Sequence, residues 1–381
     1  MQEPGCGGIR GEKAQLGGGL PLIVDGEEVG AIGVSTVQPD WDIQIAAAGA
    51  ASLAGSWATI SRGCEVPAMT EEAGHRIVAV VGLGHMGTAF ALNLIADGHR
   101  VLAYDRDPGR VATVREAGGE GGAEFAGLDA CDVVLTSLPD DDALKEVTFG
   151  NLRSGMKRGA VHVSMSTVSP GLSRVLAAEH ASHGQGYVAA PVLGNPDLAR
   201  SRRLFIIAAG PAAAVEGVRS LLEGLGQRVF VIGEDPAAAN LMKLAGNVLT
   251  ATTLQSMGEV LALLRKGGID QHVAFDVLTN SLFDSKVHRT YGGKIVNEQY
   301  RPAGMVVPLA IKDMRLALAE AEREAVPMPM ASLVRDRLVV LVAGGAADLD
   351  WSALGLLEAR DAGLAPSLDQ DSAATQGAGG R

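Results

Sequence analysis

The chain is poor in cysteine. Its three, Cys6, Cys64 and Cys131, are odd in number and far apart among 381 residues, which excludes a disulfide framework and points to reduced thiols. Metal-ligand spacing is missing too. Of the eight histidines, His180 and His183 sit closest together, ahead of Gly184, and read as a solvated helix end rather than a ligand pair. No apolar run is long enough to span a membrane; Leu338 to Ala343 is short and is closed by Gly344-Gly345. No basic stretch followed by an apolar core opens the chain, so no secretory signal and a cytoplasmic location are expected. Positive charge is also in deficit. A formal net charge of -12, without a polybasic arm, excludes nucleic acid and anionic membrane as main partners. No internal repeat is found. What remains is a globular chain, 47% apolar, long enough for two domains and a large core.

The informative stretch is Arg76 to Asp107, RIVAVVGLGHMGTAFALNLIADGHRVLAYDRD. Ile77 to Val81 has the length and composition of a buried parallel strand. Gly82, Gly84 and Gly87 follow as GxGxxG. The first allows a tight turn, the second lets backbone approach a pyrophosphate, and the third lets the next helix pack on the strand. Leu83, His85 and Met86 complete the loop. Thr88 to Ala96 is the expected helix, with Val101 to Tyr104 a second strand. That strand ends at Asp105, roughly 18 residues past Gly87, near the spacing of the ribose-binding acid in dinucleotide folds. The unit therefore predicts an NAD or NADP site.

Strands and helices alternate onward through Arg228 to Ile232, as a doubly wound sheet requires. Leu138-Pro139, Ser166-Thr167 and Pro191 to Asn195 fall just after strands, where such sheets bind ligands. From Pro236 only helices are expected: a long one over Ala237 to Leu264, then His272 to Asn280, Leu309 to Glu324, Met330 to Ala343 and Trp351 to Ala362. The fold class is thus α/β, a Rossmann-type doubly wound sheet followed by an all-α domain with a long interdomain helix. The expected division is an extension and linker over 1–68, a dinucleotide-binding domain over 69–235, a helical domain over 236–364 and a disordered tail over 365–381.

Before the sheet, Leu20 to Ser35 reads as two strands joined at Asp25-Gly26, and Asp40 to Leu53 as an alanine-rich helix. Residues 18–54 resemble the C-terminal tail of the GlcG/HbpS-like family. A hairpin and one helix cannot bury a core alone, so no haem binding is transferred from the resemblance. Ser56 to Glu72 reads as a linker. Met69 stands just before the first strand and is a candidate start of the enzyme proper.

On the long helix, Lys243 and Asn247 share a face one turn apart, continued by Thr250 and Leu254. Leu241, Leu244, Ala245 and Val248 are expected to form a separate apolar stripe, leaving Lys243 outside the packing face. Four ordered segments, GLGHMG from Gly82, STVSP from Ser166, KLAGN from Lys243 and IKDMRLAL from Ile311, resemble the β-hydroxyacid dehydrogenases. That family includes 3-hydroxyisobutyrate dehydrogenase and tartronate semialdehyde reductase and is related to 6-phosphogluconate dehydrogenase. The resemblance spans residues 76–364. It implies that Gly82, Gly84, Gly87, Leu138, Pro139, Thr167 and Lys312 meet the cofactor, that Ser166, Thr167, Gly194 and Asn247 meet substrate, and that Lys243 is the catalytic acid/base. It also implies a homo-oligomer through the helical domain. The chemistry is consistent, since hydride transfer leaves charge on an oxygen that needs a proton donor and a cation nearby.

Three departures from the family pattern stand out. Pro191-Val192-Leu193-Gly194-Asn195 replaces a PVSGG-like run, so Leu193 stands where a serine is usual. Alanines Ala237 and Ala239 replace glycines, and Gly246 replaces the first of an asparagine pair. A larger, less polar, or non-carboxylate carbonyl substrate becomes credible. Imine reductases share the architecture, but they usually carry aspartate or tyrosine at the position of Lys243. Non-catalytic nucleotide-binding relatives have lost the lysine. Asp105 would accept ribose hydroxyls and repel a 2′-phosphate, while Arg106 would attract one, and the balance favours NAD with NADP tolerated.

Overall fold

A computed structural model describes Gly19–Val24, Glu27–Gly33 and residues 75–364. The chain divides into two units, Met1–Glu72 and Ala73–Arg381. In the first, β1 (Gly19–Val24) and β2 (Glu27–Gly33) pair antiparallel, from Gly19 opposite Gly33 to Val24 opposite Glu27. The expected alanine-rich helix, the linker, Met69, the tail, Cys6 and Cys64 lie outside the described residues.

In the second unit six parallel strands run in the order β5-β4-β3-β6-β7-β8. They are β3 (Ile77–Val81), β4 (Arg100–Tyr104), β5 (Glu120–Gly122), β6 (Val133–Thr136), β7 (Val161–Ser164) and β8 (Gly186–Ala189). This is the doubly wound dinucleotide-binding order, whose direction reverses between β3 and β6. Alternation of side chains along each strand divides the core in two. Val78, Val80, Val101, Ala103 and Val133 face one layer with Phe90 and Leu94, whereas Ala79, Val81, Leu102, Tyr104 and Val134 face the other with Leu128 and Leu152.

The helices between the strands are α1 (His85–Ala96), α2 (Pro108–Glu116), α3 (Asp141–Val147), which runs on through a π-helical turn at Thr148–Leu152, and α4 (Pro170–Ser182). Helix α1 begins three residues earlier than expected, because Gly84 is itself its N-cap. Beyond β8 the chain forms a second sheet in the order β11-β10-β9, comprising β9 (Val192–Leu193), β10 (Leu204–Ala208) and β11 (Gly226–Val231), with α5 (Pro196–Arg200) and α6 (Ala212–Leu225) in the connections. Asn195 caps α5, its side-chain oxygen accepting from the Leu198 amide at 3.0 Å.

The long α7 runs Pro236–Lys266. Asp235 accepts from the Ala237 amide at its start, and Gly268 turns the chain at φ +83 after its end. Around it lie α8 (Gln271–Thr279), α9 (Lys286–Val296), α10 (Val307–Arg323), α11 (Pro329–Ala343) and α12 (Leu354–Asp361). Leu244, Val248, Ala251 and Leu254 meet Ala310, Met314, Leu338 and Leu357 in one core.

The buried face of α7 differs from the expected stripe. Leu241 is 44% exposed and Ala245 is exposed, while Lys243 and Asn247 are buried with Leu244 and Val248. The sheet half covers the first turns of α7 from one side and the helices cover it from another, so the lysine face lies inside. Helix α9 was not expected from its sequence, which carries Gly292 and Gly293 and so has low propensity. The structure explains the glycine: a Cβ on Gly292 would stand 2.4 Å from Met257 Cε.

Candidate active site

The glycine loop joins β3 to α1 at the point where the strand order reverses. Gly82 has φ +87, and a Cβ there would lie 2.5 Å from the Ser137 carbonyl oxygen; one on Gly87 would lie 1.8 Å from the Gly82 oxygen. Around Gly84 nothing lies within 4 Å of such a Cβ. The turn and the helix packing therefore demand glycine at two positions, and the third leaves open space at a helix N-terminus, where a pyrophosphate fits. Leu83 is buried, and His85 is exposed.

Asp105 follows β4. Its Oδ2 accepts from the Leu83 amide at 2.6 Å and its Oδ1 from the Asp107 amide at 2.8 Å. The carboxylate thus braces the loop and retains lone pairs for further donors. The neighbouring cations are partnered: Arg106 donates to Glu146 Oε1 at 2.6 Å, and Arg110 lies 3.7 Å from Asp105 and 3.4 Å from Asp107.

Next to the loop a cleft of about 190 Å³ opens between the two halves, lined by Met86, Leu138, Pro139, Ser166, Thr167, Gly194, Lys243, Asn247 and Lys312. It gathers residues from the ends of β6, β7 and β9 and from α7 and α10. Ser166 Oγ accepts from the Leu138 amide at 2.8 Å, tying two strand-end loops together. Lys312, on α10, donates to the carbonyls of Pro139 at 2.9 Å and Thr167 at 2.6 Å. Its side chain is 12% exposed.

Lys243 donates to Asn247 Oδ1 at 2.9 Å, and Asn247 Nδ2 donates to Asp313 Oδ2 at 2.5 Å. Burial pushes the Lys243 ammonium down to about 8; the Asp313 charge opposes that fall and Lys312 adds to it. Asp313 was not singled out from the sequence. The available signal was its place on the stripe Ala310, Met314, Ala317 of α10, where a carboxylate interrupts an otherwise apolar face.

Leu193 does not line the cleft. Strand alternation turns Val192 and Gly194 inward and Leu193 toward α7, against Gly246. Leu193 is thus placed against α7 rather than in the cleft. His180 is corrected as well: it is fully buried, its Nε2 2.8 Å from His162 Nδ1 and its Nδ1 2.7 Å from Gln185 Oε1. Cys131 is free and buried. No group of metal-ligating side chains occurs among the described residues, and no described helix is long and apolar enough to cross a membrane.

The sheet order, the glycine loop and the cleft beside it define the class, an NAD(P)-binding oxidoreductase with a helical half after the sheet. Residues 77–233 match the NAD binding domain of 6-phosphogluconate dehydrogenase, 237–357 match the NAD-binding domain of NADP-dependent 3-hydroxyisobutyrate dehydrogenase, and 6–51 match the haem degrading protein HbpS-like family. The oxidoreductase YfjR of Bacillus subtilis is 37% identical over 281 residues, 73% of this chain and 98% of that protein. The 3-hydroxyisobutyrate dehydrogenase of Pseudomonas aeruginosa is 31% identical, over 68% of this chain and 90% of its own. The crystal structure of 3-hydroxyisobutyrate dehydrogenase from Salmonella typhimurium has the same fold, with a TM-score of 0.68 at 24% identity, covering 74% of this chain and 99% of that one. The chain belongs to the 3-hydroxyisobutyrate dehydrogenase-like, or β-hydroxyacid dehydrogenase, family of NAD(P)-dependent oxidoreductases.

Proposed function

We propose that the protein interconverts a small β-hydroxyacid-type alcohol and its carbonyl form, with Lys243 as general acid/base. The observation that carries this reading is a buried lysine, 8% exposed, held by an amide in a cleft that adjoins the glycine loop. When bound, the nicotinamide supplies or accepts the hydride. In reduction the Lys243 ammonium donates a proton to the nascent alkoxide; in oxidation the neutral amine takes the hydroxyl proton. A lysine near 8 serves both directions around neutral pH. Ser166, Thr167, Gly194 and Asn247 bind substrate. Gly82, Leu83, Gly84, His85, Met86, Gly87, Leu138, Pro139, Thr167 and Lys312 hold the cofactor, with Asp105 and Arg106 at its ribose end.

NAD is the proposed cofactor, with NADP tolerated. Asp105 and Asp107 put two carboxylates just after β4, and the nearby Arg106 and Arg110 already have carboxylate partners. Those pairs are exposed and so weakly held. A homo-oligomer through the helical half is supported by the exposed apolar side chains Leu249, Leu263, Val273 and Val277 on α7 and α8.

Titration of the purified protein with NADH and NADPH, followed by a panel of short β-hydroxyacids, aldehydes and cyclic imines, tests the reading. Oxidation of hydroxyacids supports it. Turnover of imines alone, or cofactor binding with no turnover at all, overturns it.

A further inference from the structure

We propose that Asp313 is a positioning residue which, through Asn247, fixes the direction in which Lys243 presents its ammonium to the cleft. The proposal rests on the reading of Lys243 as the acid–base group. A primary amide has two ends of nearly equal size, and its partner decides which end faces which way. A carboxylate only accepts. Asp313 therefore requires the NH₂ of Asn247 at its Oδ2, at 2.5 Å, and leaves Asn247 Oδ1 as the atom that faces Lys243, at 2.9 Å. One ammonium proton is committed to that bond. The other two are left for the cleft. With the amide turned over, two donors would oppose each other and the lysine would lose its anchor.

Asp313 is well suited to this task. It is 1% exposed and sits beside Ala310 and Met314 in the core of the helical half, so it cannot swing away. Its Oδ1 lies 3.1 Å from the Lys312 ammonium but outside hydrogen-bonding geometry, so the Asn247 amide is the side-chain partner that sets its orientation.

The charge acts in the same sense as the hydrogen bonds. The charged groups beside Lys243 are Asp313, which favours its protonated form, and Lys312, which opposes it. The strand-end loops around Leu138, Ser166 and Gly194, and Gly304-Met305, bring no charged side chain into the cleft. On its own helix the neighbour is neutral Asn247. Asp313 is thus the one carboxylate facing Lys243 among the described residues. A carboxylate that merely fastened α10 to α7 would still favour the protonated Lys243 by its charge, so the positioning role is read from kcat in a variant that keeps the charge but moves the carboxylate.

Carbon-13 NMR of lysine Cε in the full chain tests the proposal, with the Lys243 resonance identified by its absence in Lys243→Arg. The wild-type midpoint is expected at about 8, and Asp313→Asn should lower it by about 1 unit or more. That shift alone removes only about half of the ammonium at pH 7, so a fall in kcat for reduction of about tenfold or more, with unchanged NADH dissociation, reports lost positioning, and Asp313→Glu, which keeps the charge but moves the carboxylate, should regain the midpoint more fully than kcat. A kcat for reduction in folded Asp313→Glu equal to that of wild type overturns the proposal, as does an unmoved midpoint in folded Asp313→Asn. Should Asp313→Asn not fold, Asp313→Glu decides alone: a retained Lys243 midpoint with a lowered kcat supports the proposal, and a wild-type kcat overturns it. The titration needs no turnover, so failure to reduce any carbonyl compound would count against the reaction and leave this coupling standing.

Discussion

Leu193 and Gly246 fit each other: a Cβ on Gly246 would stand 2.9 Å from Leu193 Cδ2. Both positions depart from the family pattern, and the structure shows why they do so together. The leucine on β9 fills the volume that a side chain on α7 would otherwise take. Gly246→Asn should therefore destabilise the protein by about 1–3 kcal/mol through overpacking, and Leu193→Ser in the same chain should recover part of that loss. Urea unfolding of the two single variants and the double variant measures the coupling, and strict additivity would show that the two residues are independent.

Lys243→Ala should lower turnover by about 10²–10⁴-fold while leaving NADH binding, followed by fluorescence, nearly unchanged. The wild-type pH profile has a definite sign. Oxidation needs the neutral amine, so its kcat/KM should rise with pH and level off above about 8; reduction needs the ammonium and should decline through about 8. Profiles without an inflection in that region would remove Lys243 from the proton transfer.

The buried histidines give stability a second pH dependence. Gln185 Nε2 donates to the carbonyls of Arg153 and Met156, so its Oε1 accepts from His180 Nδ1. His180 Nε2 must then accept from His162 Nδ1, and His162 Nε2 from Thr136 Oγ1. Both rings are neutral in this chain, and burial lowers both pKa values below the ordinary 6.5. The unfolded state therefore binds more protons below about 6.5. Stability should be full above that pH and fall as pH drops through it, by up to about 1.4 kcal/mol per pH unit for each histidine. Denaturation midpoints at pH 7.5 and 5.5 check this, and His180→Gln should flatten the difference.

Asp105→Asn keeps an acceptor for the Leu83 amide while removing a charge from the ribose end. It should narrow the preference for NADH over NADPH by about tenfold, equivalent to about 1.4 kcal/mol. Dissociation constants for the two cofactors decide it; a wild-type protein that binds NADPH much more tightly would reverse the assignment.

Much of the fold was legible because its signals are local. The run Ile77 to Val81, the three glycines and the terminal Asp105 each have a steric or hydrogen-bonding reason that a short window contains. Helix α9 was hidden because Gly292 answers to Met257 and Phe275, which are distant in sequence. The site was legible in part for the same reason: Lys243 and Asn247 are one helical turn apart, but Asp313 joins them only through the packing of α10 on α7. The burial of His180 is not legible in the sequence because its partner His162 lies on a strand, and no periodicity relates the two.

The bonds from Lys312 to the carbonyls of Pro139 and Thr167 have a consequence for how the protein could be divided. The glycine loop belongs to the first half of this unit, while Lys243, the proposed acid–base group, and Asp313 behind it belong to the second. On the proposed function neither half would carry a complete reaction centre. The distance between the proposed proton donor and the glycine loop is therefore set by the seam between the halves, and Lys312 is an ammonium that spans it.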